Sequence, residues 1–111
     1  MISLYLGKGL CGMKIVFFGS GEFGCETLCW LSRSSHQLLE IVTQPARPAG
    51  RGKKVQPTPI AQFAAQLHLP CQETANINDS SFVAHIAALN PDVLLVIAFG
   101  QKIGPEYLNM P

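Results

Sequence analysis

Three groups of residues in this chain have the types and spacing to do chemistry. The first is Gly19-Ser20-Gly21-Glu22-Phe23-Gly24, which spells G-x-G-x-x-G. Between a strand and a helix, such glycines permit a tight turn and let a pyrophosphate approach the helix N-terminus. That chemistry also wants an acidic residue at the end of the following strand, to hold a ribose. Here that strand ends in Thr43-Gln44, and Glu40 comes too early. Arg47 could meet a 2′-phosphate instead, so an NADP reading stands beside a plain glycine-rich turn.

The second group is basic. Arg47, Arg51, Lys53 and Lys54 fall within eight positions, and no acidic residue occurs from Ile41 to Gln72. Interleaved with Pro and Gly rather than with Asp or Glu, these cations repel one another unless an anion joins them. Four phosphate contacts would give log K a slope of roughly −3 against log salt, without sequence specificity. The third group is Ile97-Ala98-Phe99-Gly100-Gln101, an apolar run ending at a glycine. In an open α/β sheet that position borders the ligand crevice, although ordinary core ending in a turn has the same pattern.

The remaining reactive residue types offer little. His36, His68 and His85 have no carboxylate or thiol at motif spacing, and Cys11, Cys25, Cys29 and Cys71 form no C-x-x-C. Neither a metal site nor an activated nucleophile is expected. Cys25 and Cys29, one helical turn apart, suit packing on one face, as reduced thiols in a cytosolic setting.

Elements that could position these groups alternate regularly. Residues 14–18, KIVFF, read as a strand buried on both faces, followed by a helix over 22–34 with Cys25, Leu28 and Cys29 on one side. LLEIVT at 38–43 is a second strand. QPARPAGRGKKVQPTP, with four prolines and two glycines, cannot be helix or interior strand and reads as a long loop. Thr58-Pro59 caps a helix carrying Ile60, Phe63, Ala64 and Leu67. A brief strand fits 69–72. Asn78 or Asp79 caps a helix with Phe82, Val83, Ile86 and Leu89 inward, Pro91 stops it, and DVLLVIAFG is the strongest strand. The order βαβαβαβ predicts an open, doubly wound parallel sheet.

Length and composition bound the rest. A chain of 111 residues, 48% apolar and only 14% charged, is one core-rich domain or part of one. No run reaches the ~18 apolar residues of a membrane helix. The net charge of +1 hides an asymmetry: outside the basic cluster stand four basic against seven acidic residues. Residues 1–12, MISLYLGKGLCG, make a poor signal peptide and read as a disordered N-terminal extension or an alternative start ahead of Met13. The strongest strand comes last, with too little sequence after it to flank it on both sides, so 13–111 reads as the N-terminal part of a larger domain.

From Met13 to Pro111 the chain resembles the methionyl-tRNA formyltransferases. The resemblance rests on MKIVFFG followed by S-G-E-F at 13–23, on VTQPARPAGRGKK at 42–54 and on LNPDVLLVIAFGQKI at 89–103. It implies a Rossmann-like open parallel sheet (the formyltransferase fold), present here as an incomplete βαβαβαβ unit. The implied reaction moves a formyl group from 10-formyltetrahydrofolate to the amino group of methionine on initiator tRNA, without a metal. The implied enzyme is cytoplasmic and monomeric when full length. By the resemblance, Arg51 contacts the tRNA acceptor arm with Arg47, Lys53 and Lys54 in support. Ile97, Ala98, Phe99, Gly100 and Gln101 form one wall of the folate pocket, and Gly19, Ser20, Gly21 and Phe23 make the adjoining turn, with no dinucleotide. The family's catalytic Asn, His and Asp lie further along; this chain contains no N-x-H, so it is expected to be inactive alone. It also departs from the family in having Ser20-Gly21 where Thr-Pro is usual, which loosens the turn. Two other functions fit the same residues: a small NAD(P)-binding module built on the turn at Gly19, and a non-catalytic RNA-binding remnant.

Overall fold

The computed structural model describes residues 2–6, 13–49, 54–97 and 99–108. Its seven strands are β1 (Ile2–Leu6), β2 (Lys14–Gly19), β3 (Gln37–Thr43), β4 (Arg47–Ala49), β5 (Lys54–Gln56), β6 (Cys71–Glu73) and β7 (Val93–Ile97). Four α-helices, α1 (Cys25–Arg33), α2 (Pro59–Gln66), α3 (Ser80–Ala88) and α4 (Pro105–Leu108), alternate with them.

Five strands form one sheet in the order β1-β7-β2-β3-β6. β7, β2, β3 and β6 run parallel, and β1 lies antiparallel to β7. Both faces of β2 are buried because its alternate side chains enter two separate cores. Ile15 and Phe17 pack with Leu28 and Leu31 of α1 and Ile60 and Ala64 of α2. Val16 and Phe18 pack with Ile86 of α3, Tyr107 of α4, Leu94 and Phe99. Helices therefore cover both faces, as the alternating pattern predicts. Counting only the parallel strands, the order corresponds to 3-2-1-4 of a doubly wound sheet, with the switch point between β2 and β7.

Local chemistry explains most boundaries. Thr58 caps α2 by accepting from the Ala61 N–H at 3.1 Å, with Pro59 in its first turn. The helix expected from Glu22 instead starts as a 3-10 turn over Glu22–Gly24, and α1 proper begins at Cys25. Gly24 is a poor helix former, and its N–H closes a tighter bond to the Gly21 carbonyl at 3.3 Å. The expected loop contains a small antiparallel hairpin, β4 with β5, separate from the main sheet. Pro48 is tolerated there because each strand has a partner on one side only. The short third strand runs over 71–73 rather than 69–72. α4 was not expected; a single turn is too short to show periodicity, and it is held by the Tyr107 hydroxyl donating to the Ile77 carbonyl.

The leading residues depart from expectation in a more consequential way. Ile2–Leu6 are not a disordered extension but a strand covering the second edge of β7, so β7 is flanked on both sides. Its signal was present as the alternation of Ile2, Leu4 and Leu6. No helix among the described residues is long and apolar enough to cross a membrane.

Candidate functional site

The carboxyl ends of β2, β3 and β7 meet at the switch point, where a doubly wound sheet leaves a crevice because successive connections diverge to opposite faces. A pocket of about 280 Å³ opens there, lined by Ser20, Gly21, Gln44, Thr58, Pro59, Phe99 and Gly100. It brings together the glycine-rich turn after β2 and the segment after β7, two groups that lie some eighty positions apart in sequence.

Ser20 ties these ends to one another. Its Oγ donates to the Phe99 carbonyl at 3.1 Å and accepts from the Gln44 N–H at 3.1 Å. Thr43 Oγ1 reaches the same Oγ at 3.4 Å and lies 2.5 Å from Thr58 Oγ1. With the Thr43 hydrogen directed at Ser20, Thr58 donates to Thr43, so three hydroxyls run in one direction toward the Phe99 carbonyl. The Ser20 carbonyl accepts from the Ile60 N–H at 3.2 Å, which fixes the start of α2 against the turn.

A second layer lies behind the pocket. Gln44, almost fully buried, donates from Nε2 to the Phe99 carbonyl at 3.3 Å and accepts from Gln101 Nε2 at 2.9 Å. Gln101 Nε2 also donates to the Thr74 carbonyl, and its Oε1 accepts from the Ile77 N–H, each at 2.9 Å. These two amides set the position of Gly100, whose φ of 97° lies in the region that favours glycine.

The three glycines of the motif differ in what they do. A Cβ at Gly19 would sit 2.6 Å from Phe17 Cε1 and 3.1 Å from the Ile97 carbonyl. At Gly24 it would meet Phe17 Cζ at 3.1 Å and Ile60 Cδ1 at 3.3 Å. Both permit close packing of strand and helix. At Gly21 a Cβ would meet nothing within 4 Å, and its φ of −82° suits any residue. Phe23, in the 3-10 turn, is 67% exposed and does not line the pocket.

Of the expected pocket wall, Phe99 and Gly100 line the cavity. Ile97 is buried in the core against α1 and α2, and Gln101 supports from behind. Ala98 lies outside the described residues. Gln44, Thr58 and Pro59 were missed as lining residues: Thr58-Pro59 carried an obvious capping signal that concealed a second role. The pocket has an apolar side, Phe99 and Pro59, and a polar side, Ser20, Thr58 and Gln44. A flat heterocycle with a hydrogen-bonding edge has the matching chemistry, and the volume suits part of such a ligand.

Beyond the pocket, the hairpin of β4 and β5 follows directly from the end of β3 and leads into Thr58. Lys54 is exposed on β5. Arg47 starts β4, paired through its backbone with Gln56. Arg51 and Lys53 lie outside the described residues. The root of the hairpin is held by Glu73, whose Oε1 accepts from the Ala46 N–H at 3.1 Å.

Of the other reactive side chains, His36 and His85 have structural partners. His36 Nδ1 accepts from the Met13 N–H at 3.1 Å. His85 Nε2 lies 2.7 Å from the buried Glu40 carboxylate, so Glu40 is committed to α3 and faces away from any ribose position beyond β3. His68 follows α2 with φ 57°. Cys25, Cys29 and Cys71 are free thiols. Burial, with Glu73 and Glu40 nearby, pushes the Cys71 thiol up to about 11, and burial with Glu22 raises Cys25, the reverse of nucleophile activation. No group of three or more His, Cys, Asp or Glu among the described residues could hold a metal ion.

The comparisons agree with this geometry. The family model described as Formyl transferase matches residues 13–111, which contain the pocket and the hairpin. A methionyl-tRNA formyltransferase of Pseudomonas syringae pv. syringae is 40% identical over 99 residues, 89% of this chain and 32% of the relative. One from Pelotomaculum thermopropionicum is 39% identical over 99 residues, with the same coverage. Another, from Geobacter metallireducens, is 36% identical over 102 residues, 92% of this chain and 33% of the relative. The chain thus spans about a third of the length of the curated relatives it matches. With its doubly wound sheet, its switch-point pocket and a family match over 13–111, the chain belongs to the formyl transferase family.

Proposed function

We propose that this chain is the N-terminal part of an enzyme that transfers a formyl group from 10-formyltetrahydrofolate to the amino group of methionyl initiator tRNA. The enzyme would act in the cytoplasm, as a monomer when full length. The observation that carries this reading is the pocket at the switch point, with the hairpin of β4 and β5 springing from its rim at the end of β3. A tRNA backbone drawn to Arg47, Arg51, Lys53 and Lys54 would bring its aminoacyl end toward that rim, while Phe99 and Gly100 border the folate.

The reaction makes demands that these residues only partly meet. An amine attacking a formyl carbonyl must first lose its ammonium proton, and the tetrahedral oxyanion needs preorganised donors. Losing one such donor costs about 10²–10³ in rate. No N-x-H occurs in this sequence, so we assign the chain binding and positioning roles, with no turnover by itself. The pocket hydroxyls and Gln44 keep the ends of β2, β3 and β7 at fixed separation, which is what placing two substrates requires.

The test is binding of initiator methionyl-tRNA to this chain and to Arg51→Ala across a salt series. With all four cations on phosphates, log K should fall against log salt with a slope of roughly −3. Arg51→Ala should weaken binding and make that slope shallower by about one. Affinity indifferent to both salt and Arg51 would show that the hairpin does not hold the tRNA. Saturable NADPH binding lost on Gly19→Ala would favour a dinucleotide module instead. Salt-sensitive tRNA binding with no affinity for the folate would leave an RNA-binding remnant.

A further inference from the structure

The side-chain amides of Gln44 and Gln101 are flat groups whose oxygen and nitrogen ends have nearly the same shape, so their partners alone decide which end faces where. A backbone N–H can only donate, and one starts this relay. Ile77 N–H donates to Gln101 Oε1 at 2.9 Å. That leaves Gln101 Nε2 for the Thr74 carbonyl and for Gln44 Oε1, each at 2.9 Å. Gln44 Nε2 is thereby turned toward the Phe99 carbonyl, at 3.3 Å. Three backbone groups of fixed polarity, at Ile77, Thr74 and Phe99, thus agree on one orientation of both amides. Every group in the relay lies between Gln44 and Gln101, inside the region that the family model matches.

That orientation sets what the pocket offers an occupant. Gln44 Nε2 carries two hydrogens and spends one on Phe99; among the described residues nothing takes the other. Gln44 is 7% exposed and lines the pocket, and its Nε2 lies 3.0 Å from where a Cβ on Gly100 would stand. The hydroxyls have no hydrogen to give. Thr58 donates to Thr43, Thr43 to Ser20 and Ser20 to the Phe99 carbonyl. Of the side chains lining the pocket, Gln44 alone therefore has a donor to spare. A buried N–H without an acceptor is costly, so an occupant that supplies one is favoured over one that does not.

We propose that Gln44 is the specificity-determining residue of the pocket, selecting an occupant with a carbonyl oxygen or ring nitrogen beside its apolar part. Gln101, behind the pocket, is the positioning residue that fixes this choice. The preference for an acceptor rests on the hydrogen bonds alone. Its natural source rests on the formyl-transfer reading, which supplies two: the folate, and the ester carbonyl at the aminoacyl end of the tRNA.

The experiment titrates the full chain, with its side-chain amides ¹⁵N-labelled, with two flat probes of similar size: quinoline, whose ring nitrogen accepts, and indole, whose N–H donates. Quinoline should shift one of the two Gln44 Nε2 protons and leave the one bonded to Phe99 in place, and it should bind more tightly than indole. Gln101→Glu offers oxygens at both ends, so Gln44 must turn its Nε2 toward the carboxylate and its oxygen toward the pocket. The ratio of quinoline to indole affinity should then fall roughly tenfold, the worth of one hydrogen bond gained or lost, although residue 101 touches neither probe. A merely structural role for Gln101 would weaken both probes alike. Quinoline that does not bind, quinoline that shifts the Gly21 and Gly100 amides without moving a Gln44 side-chain proton, or a ratio unchanged in Gln101→Glu would overturn the proposal. If Gln101→Glu does not fold, Gln101→Met, which removes the orienting partner, should narrow the preference for quinoline, and an undiminished preference would overturn it equally. Methionine methyl ester and 10-formyltetrahydrofolate, titrated in parallel, identify the source by which of them moves the same Gln44 proton. If neither does while quinoline still does, the formyl-transfer reading fails and the assignment of Gln44 holds.

Discussion

The glycine-rich turn yields the most discriminating prediction, because three glycines of one motif stand in three different environments. Replacing Gly19 with Ala puts a methyl 2.6 Å from Phe17 Cε1, closer than carbon atoms tolerate, and 3.1 Å from the backbone carbonyl of Ile97. Phe17 is fully buried and cannot swing away, and the carbonyl belongs to the adjacent strand. The methyl must be accommodated by parting β2 from β7, so the cost should fall in the range of overpacked cores, about 1–3 kcal/mol. Gly24→Ala meets softer neighbours, the far ends of Phe17 and Ile60 at 3.1 and 3.3 Å, and gains some helix propensity. It should cost less, about 1 kcal/mol or below. Gly21→Ala meets nothing within 4 Å at a φ open to any residue. It should stabilise by about 0.4–1 kcal/mol by restricting the unfolded chain. For a domain of this size, 1 kcal/mol moves Tm by about 4–8 °C, so urea or thermal unfolding resolves the order easily. Equal losses at all three positions would refute the reasoning. A loss at Gly21 matching that at Gly19 would show that the turn is set by something other than the packing of Gly19 and Gly24.

Gly100→Ala should destabilise by about 1–2 kcal/mol, since its φ of 97° is strained for any side chain and its Cβ would lie 3.0 Å from Gln44 Nε2; urea unfolding with Gly100→Asn, which tolerates positive φ better, as the milder comparison checks it. His85→Ala removes the partner of a carboxylate buried in the middle of β3 and should cost about 1.5–3 kcal/mol by the same assay, whereas Glu40→Gln with His85 retained should cost less. Stability should also fall at high pH. The Cys71 thiol titrates at about 11 in the folded chain against an ordinary 9.0, and burial, aided by Glu106, pushes Tyr107 to about 12 against 10.0. Both are raised, so the folded state favours the neutral forms. Their contribution is complete below pH 9 and is lost through pH 9–11 for Cys71 and 10–12 for Tyr107. Urea midpoints measured against pH should therefore decline across these windows, and Cys71→Ala should flatten the first of them.

Much of this molecule was written locally. IVFF at 15–18 and VLLVI at 93–97 are continuous apolar runs because their alternate side chains enter two cores, and such runs announce a parallel sheet covered on both faces. Thr58-Pro59 and Pro91 mark helix ends through chemistry that acts within a few residues. The composition of the basic segment showed that it was neither helix nor core, and the order of elements gave a doubly wound topology. What the sequence could not show depends on contacts between distant positions. Gln44 is one polar residue among several after β3; only the approach of β7 turns it into the buried amide that holds Phe99 and Gln101. G-x-G-x-x-G reads as one motif, yet only the neighbouring strand decides that Gly19 and Gly24 are required by packing and Gly21 is not. Ile2–Leu6 has the alternation of a strand, but five residues form no stable structure until β7 offers an edge. Local propensity thus determined which segments became strands and helices. The pocket, the hydroxyl chain and the cover on β7 were decided by tertiary structure, because each exists only where separate segments supply one another's hydrogen-bond partners.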